Sequence, residues 1–215
     1  MRLAVKPYLG LEVVIPRRFP RKQIPRILQQ HEVWIIKQLE KLQQSLQPVR
    51  LPCSIQLTLS DETYPIEYAE SARSALREQA EGLIIQHDSG QQAVTLLRRW
   101  IRRKAQALLT PQLEGIAEEF GFQFKKTSVR SQKSRWGSCS SSGTISLNDQ
   151  LVFMPAPTVR YLMIHELCHT RHMNHSRAYW QLVESCCADF KTHEKVLAQG
   201  RQRVPEWFLK DLLER

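Results

Sequence analysis

"HELCHTRHMNH", residues 165–175, packs four histidines and one glutamate into eleven residues. His165 and His169 are four apart, so on an α-helix they lie one turn apart on the same face and can reach a single ion. Glu166 falls on an adjacent face. There it is badly placed as a ligand and well placed to take a proton from a water beside the ion, which is the division of labour in HExxH. A catalytic zinc takes three protein ligands and keeps a fourth position open, so one more ligand is required.

His175 is the expected third ligand, with Glu184 on the following helix as its rival. A helix continued from His165 would carry residue 175 about 15 Å along its axis, out of reach. The helix must therefore end near His172 and the chain turn back. Asn174 offers one means, because it tolerates the left-handed conformation that terminates helices. HExxHxxxxxH is also the ligand spacing of metzincins, with His172 standing where that class has Gly. His172 itself reads as a helix-end residue near the C-terminal dipole. Cys168, on the opposite side of the helix, reads as packing.

Around this stretch, "PAPTVRYLMIHELCHTRH" predicts a helix with Pro157 in its first turn. One further helix is expected from about Ser176 to Ala198, and another after Pro205. Upstream, Gln91 to Phe120 has helical periodicity through Val94, Leu97, Ile101, Ala105 and Leu108, with Pro111 expected to break or kink it. Residues 122–130 and "TISLN" (144–148) read as the two strands of a hairpin joined by a long polar loop. "SIQLTLSDETYPIEYAES" (54–71) reads as a strand pair around Ser60–Glu62. "LEVVIP" (11–16) reads as a short strand, and Ile24 to Leu46 as an amphipathic helix with Trp34 and Leu39 in its apolar stripe. The fold class is α+β, helices packed on a small, mostly antiparallel sheet. The domains are an N-terminal arm over 1–90 and a catalytic domain over 91–215.

The chain has 215 residues, 42% of them apolar and 24% charged, ordinary for a soluble globular protein large enough to bury a core. No secretory signal and no membrane-length apolar run is visible, so a cytoplasmic location and no membrane partner are expected. Five cysteines, odd in number and without CxxC spacing, argue against a disulfide framework and against a Cys-rich structural zinc site. The formal net charge of +10 is concentrated in residues 1–50 and 98–135. That asymmetry suits an anionic partner such as nucleic acid, or simply a solvated surface.

"KSRWGSCSSSGTISLN" (133–148), "HELCH" (165–169) and "HMNHSRAYW" (172–180) together resemble the YgjP-like metallopeptidase family, relatives of the SprT and WLM zinc proteases. The match is specific over about 130–190, and "HEVWIIKQLEK" (31–41) resembles the family's N-terminal helix. The resemblance implies a minimal zincin-like fold, with zinc on His165, His169 and His175 and Glu166 as general base in peptide hydrolysis.

A protein or peptide substrate would lie extended across the metal, most economically as a strand added to a sheet edge. "GTISLN" (143–148) is a candidate for that edge, or ordinary sheet core. In "SRWGSCS", Trp136 and Arg135 either grip substrate or brace the loop. Tyr179 is a further candidate for substrate contact. Tyr179, His172 and Arg135 are candidates for an auxiliary oxyanion donor. Readings from other classes are a DNA-associated SprT-like protease, a non-catalytic zinc module, and a hydrolase of other amides or esters. The intact Glu166 argues against the second, since a structural site needs no base.

Overall fold

The computed structural model describes residues 2–6, 10–15, 19–20, 23–45 and 50–213. These fall into two compact units, 1–49 and 50–213. That division lies ahead of the strands that the sequence reading grouped with the N-terminal arm. Among the described residues no helix is long and apolar enough to cross a membrane.

In the first unit, β1 (Arg2–Lys6) and β2 (Gly10–Val14) pair antiparallel, with Arg2 opposite Val14. Two helices follow, α1 (Ile24–Gln30) and α2 (Glu32–Ser45). The sequence reading expected one helix here. His31 interrupts it with φ −107° and ψ 12°, and its N–H is shared between the carbonyls of Ile27 and Leu28. Leu46, the expected end of that helix, lies outside the described residues.

The second unit begins with β3 (Ser54–Leu57) and β4 (Glu62–Glu70), antiparallel as expected, around a turn in which Asp61 has φ +56°. Two more strands, β5 (Ala75–Gln79) and β6 (Gly82–His87), complete a sheet in the order β3-β4-β6-β5. β4 and β6 run parallel, so the sheet is mixed. At Gly82 φ is +147° and a Cβ would sit 2.4 Å from the Pro65 carbonyl oxygen, so only glycine fits that turn.

Helix α3 (Gly90–Glu119) starts on Ser89, whose side chain accepts from the Gln92 N–H. Its buried face is Val94, Leu97, Ile101, Ala105, Leu109 and Leu113. The expected break at Pro111 does not occur. Pro111 and Ala107 are both exposed, so the carbonyl deprived of its partner faces water.

A second sheet has the order β7-β9-β8, from β7 (Lys126–Arg130), β8 (Gly137–Cys139) and β9 (Thr144–Asn148). The expected hairpin of residues 122–130 with 144–148 is corrected. β7 and β9 run parallel, and the hairpin is formed by β8 with β9, closed at Gly143 with φ +78°. Asn148 then organises the chain on both sides. Its Oδ1 accepts from the Gln150 N–H at 3.1 Å, and its Nδ2 donates to the carbonyls of Gln132 at 3.0 Å and Arg135 at 2.7 Å.

The central helix α4 (Ala156–Cys168) is buried on several faces, through Val159, Tyr161, Leu162, Met163, Ile164 and Leu167. Burial all round marks a core helix, not an amphipathic surface one. The expected helix over 176–198 is two helices, α5 (Arg177–Cys186) and α6 (Phe190–Ala198), separated where Cys187 turns extended at φ −151°. The last helix is α7 (Glu206–Leu213).

Candidate metal centre

α4 ends at Cys168, and the N–H groups of Arg171 and His172 both return to the Cys168 carbonyl. The chain then turns to Ser176, whose hydroxyl accepts from the Tyr179 N–H and starts α5. Asn174 is not left-handed, since among the described non-glycine residues only Asp61 has a positive φ. The turn is secured instead by side chains. Thr170 Oγ1 donates to the Leu167 carbonyl at 2.7 Å, and Arg171 Nη2 donates to the Gly121 carbonyl at 2.8 Å.

This turn brings three imidazoles together. The ligand nitrogens of His165, His169 and His175 all lie within 4.8 Å of one another. Glu184 is exposed and takes no part in the group. His165 Nε2 and His175 Nε2 face each other at 3.4 Å. Nitrogens bound to a tetrahedral zinc at about 2.0–2.1 Å lie roughly 3.3–3.4 Å apart, so the pair is already spaced for one ion. His169 Nδ1 is 3.0 Å from the His172 carbonyl oxygen, and donation there leaves Nε2 as the ligand atom. Burial, then the neighbouring imidazoles, push His165 down to about 4, and burial also lowers His169. Both are thereby held neutral, the form that binds metal. The residues fit a divalent metal ion.

Glu166 is 4% exposed and lies under β8. Burial pushes its carboxyl up to about 7, against the opposing pull of the Arg135 charge and the Cys139 N–H. Among the described residues β8 pairs only with β9, and Ser138 faces Ser146 across that pair. Trp136 and Ser140 bond back to β9, which leaves the polar groups of Gly137 and Cys139 turned to the other edge, and the Cys139 N–H reaches Glu166.

The remaining candidates divide. Arg135 is exposed and acts electrostatically on Glu166. Trp136 donates through Nε1 to the Leu197 carbonyl at 3.1 Å, and its Cζ2 lies where a Cβ on Gly200 would be 2.8 Å away. It braces the loop. Tyr179 is corrected as a substrate contact, because it is fully buried. Its hydroxyl donates to the His165 carbonyl at 3.1 Å, and its ring stacks on His169 at 4.6 Å and 24°. It is a floor beneath the imidazoles, with a hydroxyl that burial holds above its ordinary range. "GTISLN" is corrected as the free edge, since β9 is paired on both sides.

Two further residues shape the centre, Gly137, which reads from its place beside Trp136 as a close-approach backbone position, and Trp180, to which the sequence assigns no role. Trp180 stacks on His175 at 5.6 Å and 27°, and Gly137 gives Glu166 room. Trp180 at the position after Tyr179, one turn into the helix that follows His175, was the available signal.

Residues 1–200 match the family model described as the YgjP-like metallopeptidase domain. None of the curated proteins matches this chain. Among solved structures, the crystal structure of the metallopeptidase zymogen of Pyrococcus abyssi abylysin is 25% identical, over 44% of this chain and 96% of that one, with a TM-score of 0.40.

Proposed function

We propose that this chain, which belongs to the YgjP-like metallopeptidase family, hydrolyses peptide bonds at a zinc ion held by His165, His169 and His175, with Glu166 as general base. The observation that carries this reading is the convergence of three imidazole nitrogens beside one buried carboxyl group. Imidazole ligation favours zinc among the common divalent ions. Zinc bound there supplies Lewis acidity toward a water and a peptide carbonyl.

The protein's own groups carry the proton. Glu166 accepts it from the attacking water and returns it to the nitrogen of the leaving amine. Its place next to His165 on α4 sets the carboxyl beside the ion's open position, within reach of both the water and the leaving amine. The Cys139 N–H and the Arg135 charge keep the carboxylate form accessible despite burial. Tyr179 and Trp180 hold the imidazole rings in place by stacking. The substrate adds as a strand along the outer edge of β8 through the outward groups of Gly137 and the Cys139 carbonyl, the Cys139 N–H being engaged by Glu166. Arg135, exposed beside that edge, is the candidate to meet the developing oxyanion or a substrate carboxylate.

Cleavage of a peptide library by untreated, chelator-stripped and zinc-restored protein tests the reading. Stripping should abolish cleavage and added zinc restore it, in the Cys187→Ser variant at one equivalent. Full activity in protein shown by elemental analysis to hold no metal would overturn it.

A further inference from the structure

A second group of metal-ligating side chains lies at the junction of α5 and α6. Cys187 Sγ, a carboxylate oxygen of Asp189 and a ring nitrogen of His193 all lie within 4.8 Å of one another, and none belongs to the histidine centre. The Cys187 thiol donates to Asp189 Oδ1 at 3.3 Å, and His193 Nε2 is 3.1 Å from Asp189 Oδ2.

Asp189 occupies the N-cap position of α6, yet its side chain makes no cap hydrogen bond. An aspartate that caps contributes about 1 kcal/mol to its helix. Here both oxygens are turned away from the helix end, toward the thiol and the imidazole. His193 is itself oriented. Its Nδ1 lies 3.3 Å from Thr158 Oγ1, and its ring stacks on Tyr161 at 6.1 Å and 24°. Thr158 is 2% exposed, so its hydroxyl is held in place. Its Nε2–H donates to the Asp189 carboxylate. On binding an ion that proton would leave Nε2, and donation from Nδ1 to the Thr158 hydroxyl would hold the ring as a ligand, the outer-shell arrangement typical of ligating histidines.

We propose that Cys187, Asp189 and His193 form a second metal site, selective for a borderline divalent ion such as zinc or cobalt over magnesium or calcium. The donor set of one sulfur, one nitrogen and one oxygen dictates that preference. Binding expels the Cys187 thiol proton to solvent, and thiolate plus carboxylate then neutralise the charge of the ion. The nitrogen, sulfur and oxygen ligands of a tetrahedral zinc lie roughly 3.3–3.6 Å apart, so the group needs only small adjustments. Asp189 is exposed, which gives the ion an entry path and leaves a fourth position to water. None of its three residues is shared with the histidine centre, so it is a separate site and not half of a two-metal one. Its ion instead clips the extended Cys187 link to the first turn of α6.

Cobalt titration of the full chain with its thiols reduced tests this directly, since the histidine centre has no sulfur ligand. A thiolate-to-cobalt charge-transfer band in the near ultraviolet is expected, saturating when one ion per chain is bound in addition to the ion taken by the histidine centre. It should vanish in Cys187→Ser and need at least about tenfold more cobalt in His193→Ala and Asp189→Asn. Both latter variants keep the thiol, so they serve even if Cys187→Ser folds poorly. No band at saturating cobalt, a band that survives Cys187→Ser, or unchanged titrations in the other two variants would each overturn the proposal. None of these outcomes depends on peptidase activity.

Discussion

A Cβ placed on Gly137 would come within 2.7 Å of Glu166 Oε1 and 2.9 Å of its Cγ, so the Glu166 carboxyl group rests against a bare backbone. Gly137→Ala must displace the Glu166 side chain, because β8 is fixed by its pairing with β9. A misplacement of about 1 Å at a reacting group costs on the order of 100-fold in rate. The variant should keep its zinc and its melting temperature while kcat falls by about that factor. An unchanged kcat would show that Glu166 is not held at the position described.

Tyr179→Phe separates a floor from a catalytic donor. The lost hydroxyl leaves the His165 carbonyl without that bond, at a cost of about 1 kcal/mol. Chemical denaturation should register that loss, with kcat within a few-fold of wild type. A fall of a hundredfold or more in kcat at unchanged stability would restore Tyr179 as an oxyanion donor.

His175→Ala removes a ligand outright, so zinc affinity should fall by more than the 10–100-fold that loss of an outer-shell partner costs. Competition with a chromophoric chelator measures it, on a Cys187→Ser background so that only the histidine centre is read. Glu184→Ala, at the exposed rival position, should change nothing. Equal losses from the two variants would mean that the third ligand has been misassigned.

Glu78 ties β5 to α3. Its carboxylate accepts from Trp100 Nε1 at 2.8 Å and meets Lys104 Nζ at 2.5 Å. Burial alone would raise its carboxyl, but the hydrogen bonds from Lys104 and Trp100 and the Lys104 charge outweigh it and hold it below the ordinary range. A depressed folded-state pKa gives stability that is present above the unfolded pKa and lost as pH falls through the folded one. Glu78→Gln should therefore cost about 0.5–1 kcal/mol near pH 7, as expected for a largely exposed pair. The difference from wild type should shrink below about pH 4. Denaturation curves at the two pH values decide it, and a difference that grows on acidification would contradict the assigned sign.

The centre was legible because helical periodicity places His165 and His169 on one face, and because ten residues of continuous helix would carry His175 out of reach. The means of turning back was not legible. It uses Thr170, Arg171 and a distant carbonyl at Gly121 where a left-handed Asn174 was expected. Sheet topology was read less well. β8 is three residues long and carries no alternating pattern, so its pairing with β9 was hidden inside a polar loop. The break between α5 and α6 has no Gly or Pro to announce it, since "SCCADF" reads as helix until Cys187 turns extended. The burial of Tyr179 is likewise a tertiary fact: a tyrosine in an amphipathic helix gives no hint that it will floor a metal centre.

Wild type and Glu166→Gln, measured side by side for zinc bound at the histidines and for cleavage of an unstructured protein, test the central claim most directly. The expected result is equal zinc affinity and cleavage slower by about 100-fold to 10,000-fold in the variant, the range that a general base contributes. Cleavage by Glu166→Gln at the wild-type rate, or loss of the metal together with the carboxylate, would contradict the assignment of Glu166 as base and of the three histidines as the complete ligand set.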